Sequence, residues 1–192
     1  MAVSAKENLI YSWKTPDGQE ISVVDLAVYI EILLNSTKHP DYLKPDFRYV
    51  ISIEEFLKRW FRYDKIFREY DMFLHFIYYV SVFFSHNDIS NFYSINSKKK
   101  RIKYKFNIYD AITISIVFAN KICNDEHFLN THYAKISGIS LQMLNDMEIQ
   151  MLYKFKFDLH LNAARIKTSN DMIDILIHAI CKNKNDEEVL SV

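Results

Sequence analysis

Residues Asn107 to Leu161 read NIYDAITISIVFANKICNDEHFLNTHYAKISGISLQMLNDMEIQMLYKFKFDLHL, and their periodicity decides the fold. Gly138 is one of only two glycines in the chain and stands inside HYAKISGIS, between two segments of helical spacing. A glycine so placed serves a backbone position with positive φ that ends one helix, and Ser140 is then free to N-cap the next. Two helices therefore meet at a tight corner. After the corner, Leu141, Leu144, Met147, Met151, Leu152 and Phe155 follow the three-four spacing of a face buried on a core, with Glu148 beside them. Before it, the helix from Ile108 to about Cys123 is apolar almost all round and is therefore expected at the centre of the molecule. Lys121 lies in its last turn, where a cation complements the helix dipole.

Upstream, Met72 to Phe84 is an aromatic-aliphatic run interrupted by His75. It falls short of the roughly 20 residues a membrane span needs, so it reads as a buried helix. Ile53, Phe56, Leu57, Trp60 and Phe61 mark another helix at i, i+3, i+4, i+7 and i+8. Between the run and Asn107 lies SHNDISNFYSINSKKKRIKYKF, residues 85–106, which is polar and asparagine-rich before it turns basic and reads as a loop insertion. Its run Lys98, Lys99, Lys100 and Arg101, followed by Lys103 and Lys105, fits a nuclear-import signal, a nucleic-acid patch or a plain solvated loop.

Nearer the N-terminus, Thr15-Pro16-Asp17-Gly18-Gln19 is a turn signal, since proline presets φ and glycine accepts a positive one. A first helix is expected from near Ser22 to Leu34, and a proline-bearing connector from His39-Pro40 to Lys44-Pro45 ends it. At the other end, Ser169-Asn170 reads as the cap of a last helix through Met172, Ile173, Leu176 and Ile180, too apolar to stand alone in water. The tail from Asn183 is expected to fray.

Composition sets further bounds. A chain of 192 residues, 49% apolar and 15% aromatic, suffices for one domain with a real core. Its 24 basic and 24 acidic side chains balance, so no global field recruits nucleic acid or an anionic membrane, and neither is expected as a partner. Cys123 and Cys181 lie in apolar helical contexts and read as small buried hydrophobes of a reducing, intracellular compartment. The N-terminus MAVSAKENLIYSW lacks the basic start and sustained apolar core of a signal peptide.

Enzyme chemistry finds no footing. The seven histidines form neither an H-E-x-x-H element nor a cysteine-histidine cluster, and Gly18 and Gly138 alone cannot build a phosphate cradle. No catalytic residue, metal, cofactor or small-molecule substrate is expected.

The elements Asn107-Ile108-Tyr109-Asp110, Ala119-Asn120-Lys121, His132-Tyr133-Ala134-Lys135-Ile136-Ser137-Gly138-Ile139-Ser140, Leu144-Asn145-Asp146-Met147-Glu148 and Phe157-Asp158-Leu159 together resemble the cyclin box, in particular that of P/U-type cyclins. That family's pattern runs N-V-H-R, A-A-K, N-x-x-Y-A-K-V-G-G-I-S, E-L-N-x-L-E and F-x-L. Ile51-Ser52-Ile53-Glu54-Glu55-Phe56-Leu57 resembles its I-S-I-x-x-Y-L opening, so the likeness runs from about Asp25 to Leu161. It implies an all-α fold: a single five-helix box over residues 46–161, preceded by a turn and helix in 1–45 and followed by one packed helix and a tail in 162–192. Too few residues follow Arg165 for a second box.

The resemblance also implies a function, that of a regulatory subunit that binds a cyclin-dependent protein kinase and positions its regulatory helix. In the family a lysine ending the third box helix and a glutamate in the fifth grip the kinase. They match Lys121 and Glu148, with apolar contacts at Ile122, Leu152, Phe157 and Leu159. From spacing alone the same pair reads as an ordinary interhelix salt bridge. The alternative function is a cyclin-fold adaptor or transcription-type factor that activates no kinase. Three departures stand out: Tyr78-Tyr79-Val80-Ser81 replaces a charged Y-I-D-R-like element, Asp110 replaces the arginine of N-V-H-R, and Glu54 replaces the arginine of the substrate-docking M-R-A-I-L.

Overall fold

The computed structural model describes residues 11–36, 51–64, 66–85, 91–95 and 101–190. A short antiparallel hairpin of β1 (Ser12–Lys14) and β2 (Glu20–Ser22) leads into seven α-helices. These are α1 (Val23–Ser36), α2 (Ile53–Tyr63), α3 (Tyr70–Ser85), α4 (Ile108–Cys123), α5 (Asn130–Ser137), α6 (Leu141–Lys154) and α7 (Ala163–Leu190). Helices α2 to α6 form the five-helix box, with α1 against α2 and α7 against α3. The proline connector lies outside the described residues.

Helix α4 is the axle. Every residue from Ile108 to Asn120 is buried, as its nearly unbroken apolar run demands. Its start is fixed by a capping box: Asn107 Oδ1 accepts from the backbone N–H groups of Tyr109 and Asp110, while Asp110 Oδ2 accepts from Asn107 N at 3.0 Å. The sign reversal at Asp110 is thus a local solution, a carboxylate at a helix N-terminus where the macrodipole favours it. Deeper in, Asn120 Nδ2 donates to Asp64 Oδ2 at 2.6 Å, so a polar side chain of α4 and the residue that ends α2 satisfy one another inside the core.

Caps read from the sequence recur as geometry. Ser52 accepts from Glu55 N at the start of α2, whose Ile53, Phe56, Leu57, Trp60 and Phe61 are all buried. Gly138 has φ +77° and closes α5, and Ser140 accepts from Met143 N to open α6. A residue with Cβ would be strained at that corner.

One buried element goes beyond the expectations, and three expectations are corrected. Trp13 of β1 is fully buried, stacked on Phe73 at 4.4 Å with its indole N–H donating to Phe67 O at 2.7 Å, so the N-terminal hairpin belongs to the core. The last helix begins at Ala163, where Asn162 Oδ1 accepts from Arg165 N; Ser169 lies inside it and donates to Leu74 O and Arg165 O, tying α7 to α3. That helix continues to Leu190, through the segment expected to fray. Finally, the insertion is not all loop, because β3 (Asn91–Ile95) and β4 (Arg101–Lys105) pair antiparallel with Phe92 opposite Tyr104, and β3 lies along α6. The alternation of aromatic, β-branched and polar residues in NFYSI and RIKYK suits paired strands. Phe83 and Phe106, stacked 5.2 Å apart, anchor the base of this hairpin.

Candidate functional site

The last turn of α4 and the middle of α6 bring Lys121 and Glu148 together, Nζ to Oε1 at 2.5 Å. The side chains are 24% and 16% exposed, so the pair sits at a rim, partly screened from water. Glu148 is engaged on both oxygens, for Asn130 Nδ2 at the start of α5 donates to Oε2 at 2.6 Å and also to Asn145 Oδ1 at 2.7 Å. Asn130 Oδ1 is itself buried, with no hydrogen-bond partner among the described residues. The end of α4, the start of α5 and the middle of α6 are thereby locked into one arrangement. The lysine retains protons, and the carboxylate lone pairs, beyond those used inside the network.

Asn130 escaped the sequence reading. Its signal was present, since Asn130-Thr131-His132-Tyr133 supplies the N-x-x-Y that opens the family's central motif. Beneath the pair, Tyr133 is buried against Trp60, and its hydroxyl accepts from Phe128 N at 3.2 Å. Burial holds this phenol well above its ordinary pKa, with Asp64 and Glu148 adding to the effect.

The closing turn after α6 carries the other expected residues. Lys156 and Phe157 adopt left-handed backbone at φ 53° and 60°, which costs a residue with Cβ roughly 1–2 kcal/mol. Arg165 fastens the turn from behind, donating to Asp158 O at 2.9 Å and His160 O at 2.8 Å while pairing with Asp158 Oδ2 at 2.7 Å. Its guanidinium also lies 5.5 Å from the centre of the Tyr78 ring. Tyr79 braces the turn from the core, donating to Leu159 O at 2.5 Å, and burial drives its pKa far upward. Tyr78 and Tyr79 themselves meet edge to face, with ring centres 5.7 Å apart.

The result of the strained turn is an outward-facing aromatic. Phe157 is 63% exposed and meets Tyr153, 69% exposed, edge to face at 5.2 Å. Ile149 and Leu129 are also exposed, while Ile122 and Leu152 are half-buried at the margin of the core. Leu159 differs: at 8% exposure it packs inward, so it supports the surface and offers no contact of its own.

The remaining expectations fall elsewhere. Lys98, Lys99 and Lys100 lie outside the described residues, and Arg101 opens β4. Cys123 is a free thiol at the end of α4, half-buried where full burial was expected, with Sγ 3.2 Å from His75 Nδ1. Burial pushes this thiol up to about 11, which keeps it protonated near neutrality. Among the described residues no group of histidine, cysteine and acidic side chains has the arrangement to hold a metal ion. No described helix is long and apolar enough to cross a membrane.

Five helices around a buried third helix, with an ion pair joining the end of the third to the middle of the fifth, define the architecture. The family model described as Cyclin matches residues 36–159, and the chain belongs to the cyclin family. It is similar to Cyclin-U2-1 of Arabidopsis thaliana, 29% identical over 58 residues that make up 30% of this chain and 26% of that protein. Similarity to Cyclin-P4-1 of Oryza sativa subsp. japonica is 32% over 59 residues, 31% of this chain and 28% of the relative. PHO85 cyclin-6 of Saccharomyces cerevisiae is 31% identical over 67 residues, 35% of this chain and 16% of that protein. These matches span about a sixth to a little over a quarter of the relatives' lengths.

Proposed function

We propose that this chain is the regulatory subunit of a cyclin-dependent protein kinase, binding the kinase through the Lys121–Glu148 rim and activating it by positioning its regulatory helix. The observation that carries the reading is the coincidence of the family's lysine and glutamate with a preorganised, partly exposed ion pair, while the helix that carries Glu148 ends in an exposed aromatic pair. Charge-assisted bonds from Lys121 and Glu148 to a partner's backbone set register, while Phe157, Tyr153 and Leu152 supply the apolar area that drives association. The left-handed turn at Lys156–Phe157 serves this role, because strain retained in a folded chain clusters where a side chain must be presented.

On this account the chemistry of phosphoryl transfer belongs to the kinase, and the chain contributes shape. Such a subunit works inside the cell, in nucleus or cytoplasm. Binding of the chain to a panel of purified cyclin-dependent kinases, read by biolayer interferometry and by phosphorylation of a histone-type substrate, tests it. At least one kinase is expected to bind and gain activity, and Phe157→Ala is expected to weaken that binding at least tenfold without unfolding the chain. Full binding by the variant would remove Phe157 from the interface.

A further inference from the structure

On the side of the molecule built by the N-terminal hairpin and the last helix, the β1–β2 turn, the start of α3 and one face of α7 enclose a cleft of about 320 Å³. Its floor is apolar, from Ile173 and Ile177, and its wall is polar, chiefly from Asp17, Tyr70, Asn170, Asp174 and His178. No lysine or arginine lines it. Asp174, Asn170 and the Tyr70 hydroxyl have no hydrogen-bond or ion-pair partner among the described residues, and the Asp17 carboxylate accepts only from Thr15 Oγ1. Convergent polar groups over an apolar floor are the pattern of a binding cleft, and here they include two carboxylates, a phenol, an amide and the His178 imidazole. Burial raises the Tyr70 phenol, and the charges of Asp17, Asp174 and Asp71 add to the effect.

We propose that this cleft receives an arginine side chain of a partner polypeptide, its guanidinium held between Asp17 and Asp174 and its aliphatic stem laid on Ile173 and Ile177. The complementarity is specific to that group. A planar guanidinium donates in a fork that two separated carboxylates satisfy together, and it stacks on a tyrosine ring. Its three methylenes use the apolar floor, which a free inorganic cation would leave wet. None of the cleft residues belongs to the Lys121–Glu148 rim, so this would be a second docking point, apart from that rim.

The test uses the full chain, uniformly labelled with 15N, and the acetylated, amidated pentapeptide Gly-Gly-Arg-Gly-Gly as probe. The same peptide with glutamine in place of arginine is the control. Saturable shifts confined to amides at residues 15–19, 70 and 170–178 are expected with the arginine peptide and not with the control. Asp17→Asn/Asp174→Asn is expected to raise Kd at least fivefold while leaving the remaining spectrum in place, and raising salt should weaken binding of the parent more than of the variant. Shifts scattered over the surface, or equal for the two peptides, would overturn the assignment.

Discussion

Exchanging Glu148 for glutamine keeps the shape of the side chain and removes its charge. Both carboxylate oxygens are in use, one against Lys121 Nζ at 2.5 Å and the other against Asn130 Nδ2 at 2.6 Å. A glutamine must turn its amide NH2 toward one of these donors, so one bond is lost outright and the other loses the negative charge of its acceptor. Charge-assisted bonds contribute roughly 1.5–3 kcal/mol when dry and exposed pairs about 0.2–1 kcal/mol. At 16–24% side-chain exposure this network lies between, and a loss of about 1–2 kcal/mol follows. For a chain of this size that lowers Tm by roughly 3–6 °C. Lys121→Met is expected to cost less, because the carboxylate it leaves keeps Asn130 and gains water. Urea denaturation of the parent, both single variants and the double variant closes a double-mutant cycle, with an expected coupling of about 1 kcal/mol. Additivity to within about 0.3 kcal/mol would mean that the pair does not hold itself together in solution, and the preorganisation argument would fall.

Three further outcomes follow from the same geometry. Lys156→Gly relieves a left-handed residue at φ 53° and, after the entropy glycine returns to the unfolded chain, should stabilise the protein by about 0.5–1 kcal/mol in urea titration. A net destabilisation would show that the turn is not strained. Tyr79→Phe removes the donor to Leu159 O and should cost about 1 kcal/mol while raising hydrogen exchange through residues 155–161. Burial lowers the pKa of His75 in the folded chain, so the unfolded state takes up the proton first and stability falls as pH drops below the ordinary histidine value. His75→Gln should therefore flatten the decline in Tm between pH 7.5 and 5, and an unchanged slope would contradict that assignment.

How much of this was legible in the sequence depended on the range of the signal. Gly138, Ser140, Ser52 and the central run of α4 act locally, through caps and period, and each reads correctly from its neighbours. Trp13 did not, because its burial is decided by Phe61, Phe67 and Phe73 far along the chain and three-residue strands carry almost no periodicity. The start of α7 was misplaced because Asn162 and Ser169 both look like caps, and the stripe through Ile173 and Leu176 begins only after the second of them. Strand pairing in the insertion was hidden by its asparagine and lysine content, which outweighed a short alternation. The Lys121–Glu148 pair spans 27 residues. Its partners were named by the family motif alone, and Asn130, which holds the second oxygen, was overlooked within that same motif. Phe157 could be nominated, but its outward presentation rests on a left-handed backbone that nothing in Lys-Phe-Lys-Phe-Asp announces.

The most direct test of the account is the affinity of the chain for a cyclin-dependent kinase it activates, compared with that of its Lys121→Ala/Glu148→Ala variant at matched folded fraction by circular dichroism. Loss of at least tenfold in affinity together with loss of activation is the predicted result. A folded variant that binds and activates as the parent does, or a parent that neither binds nor activates any member of the panel, would contradict it.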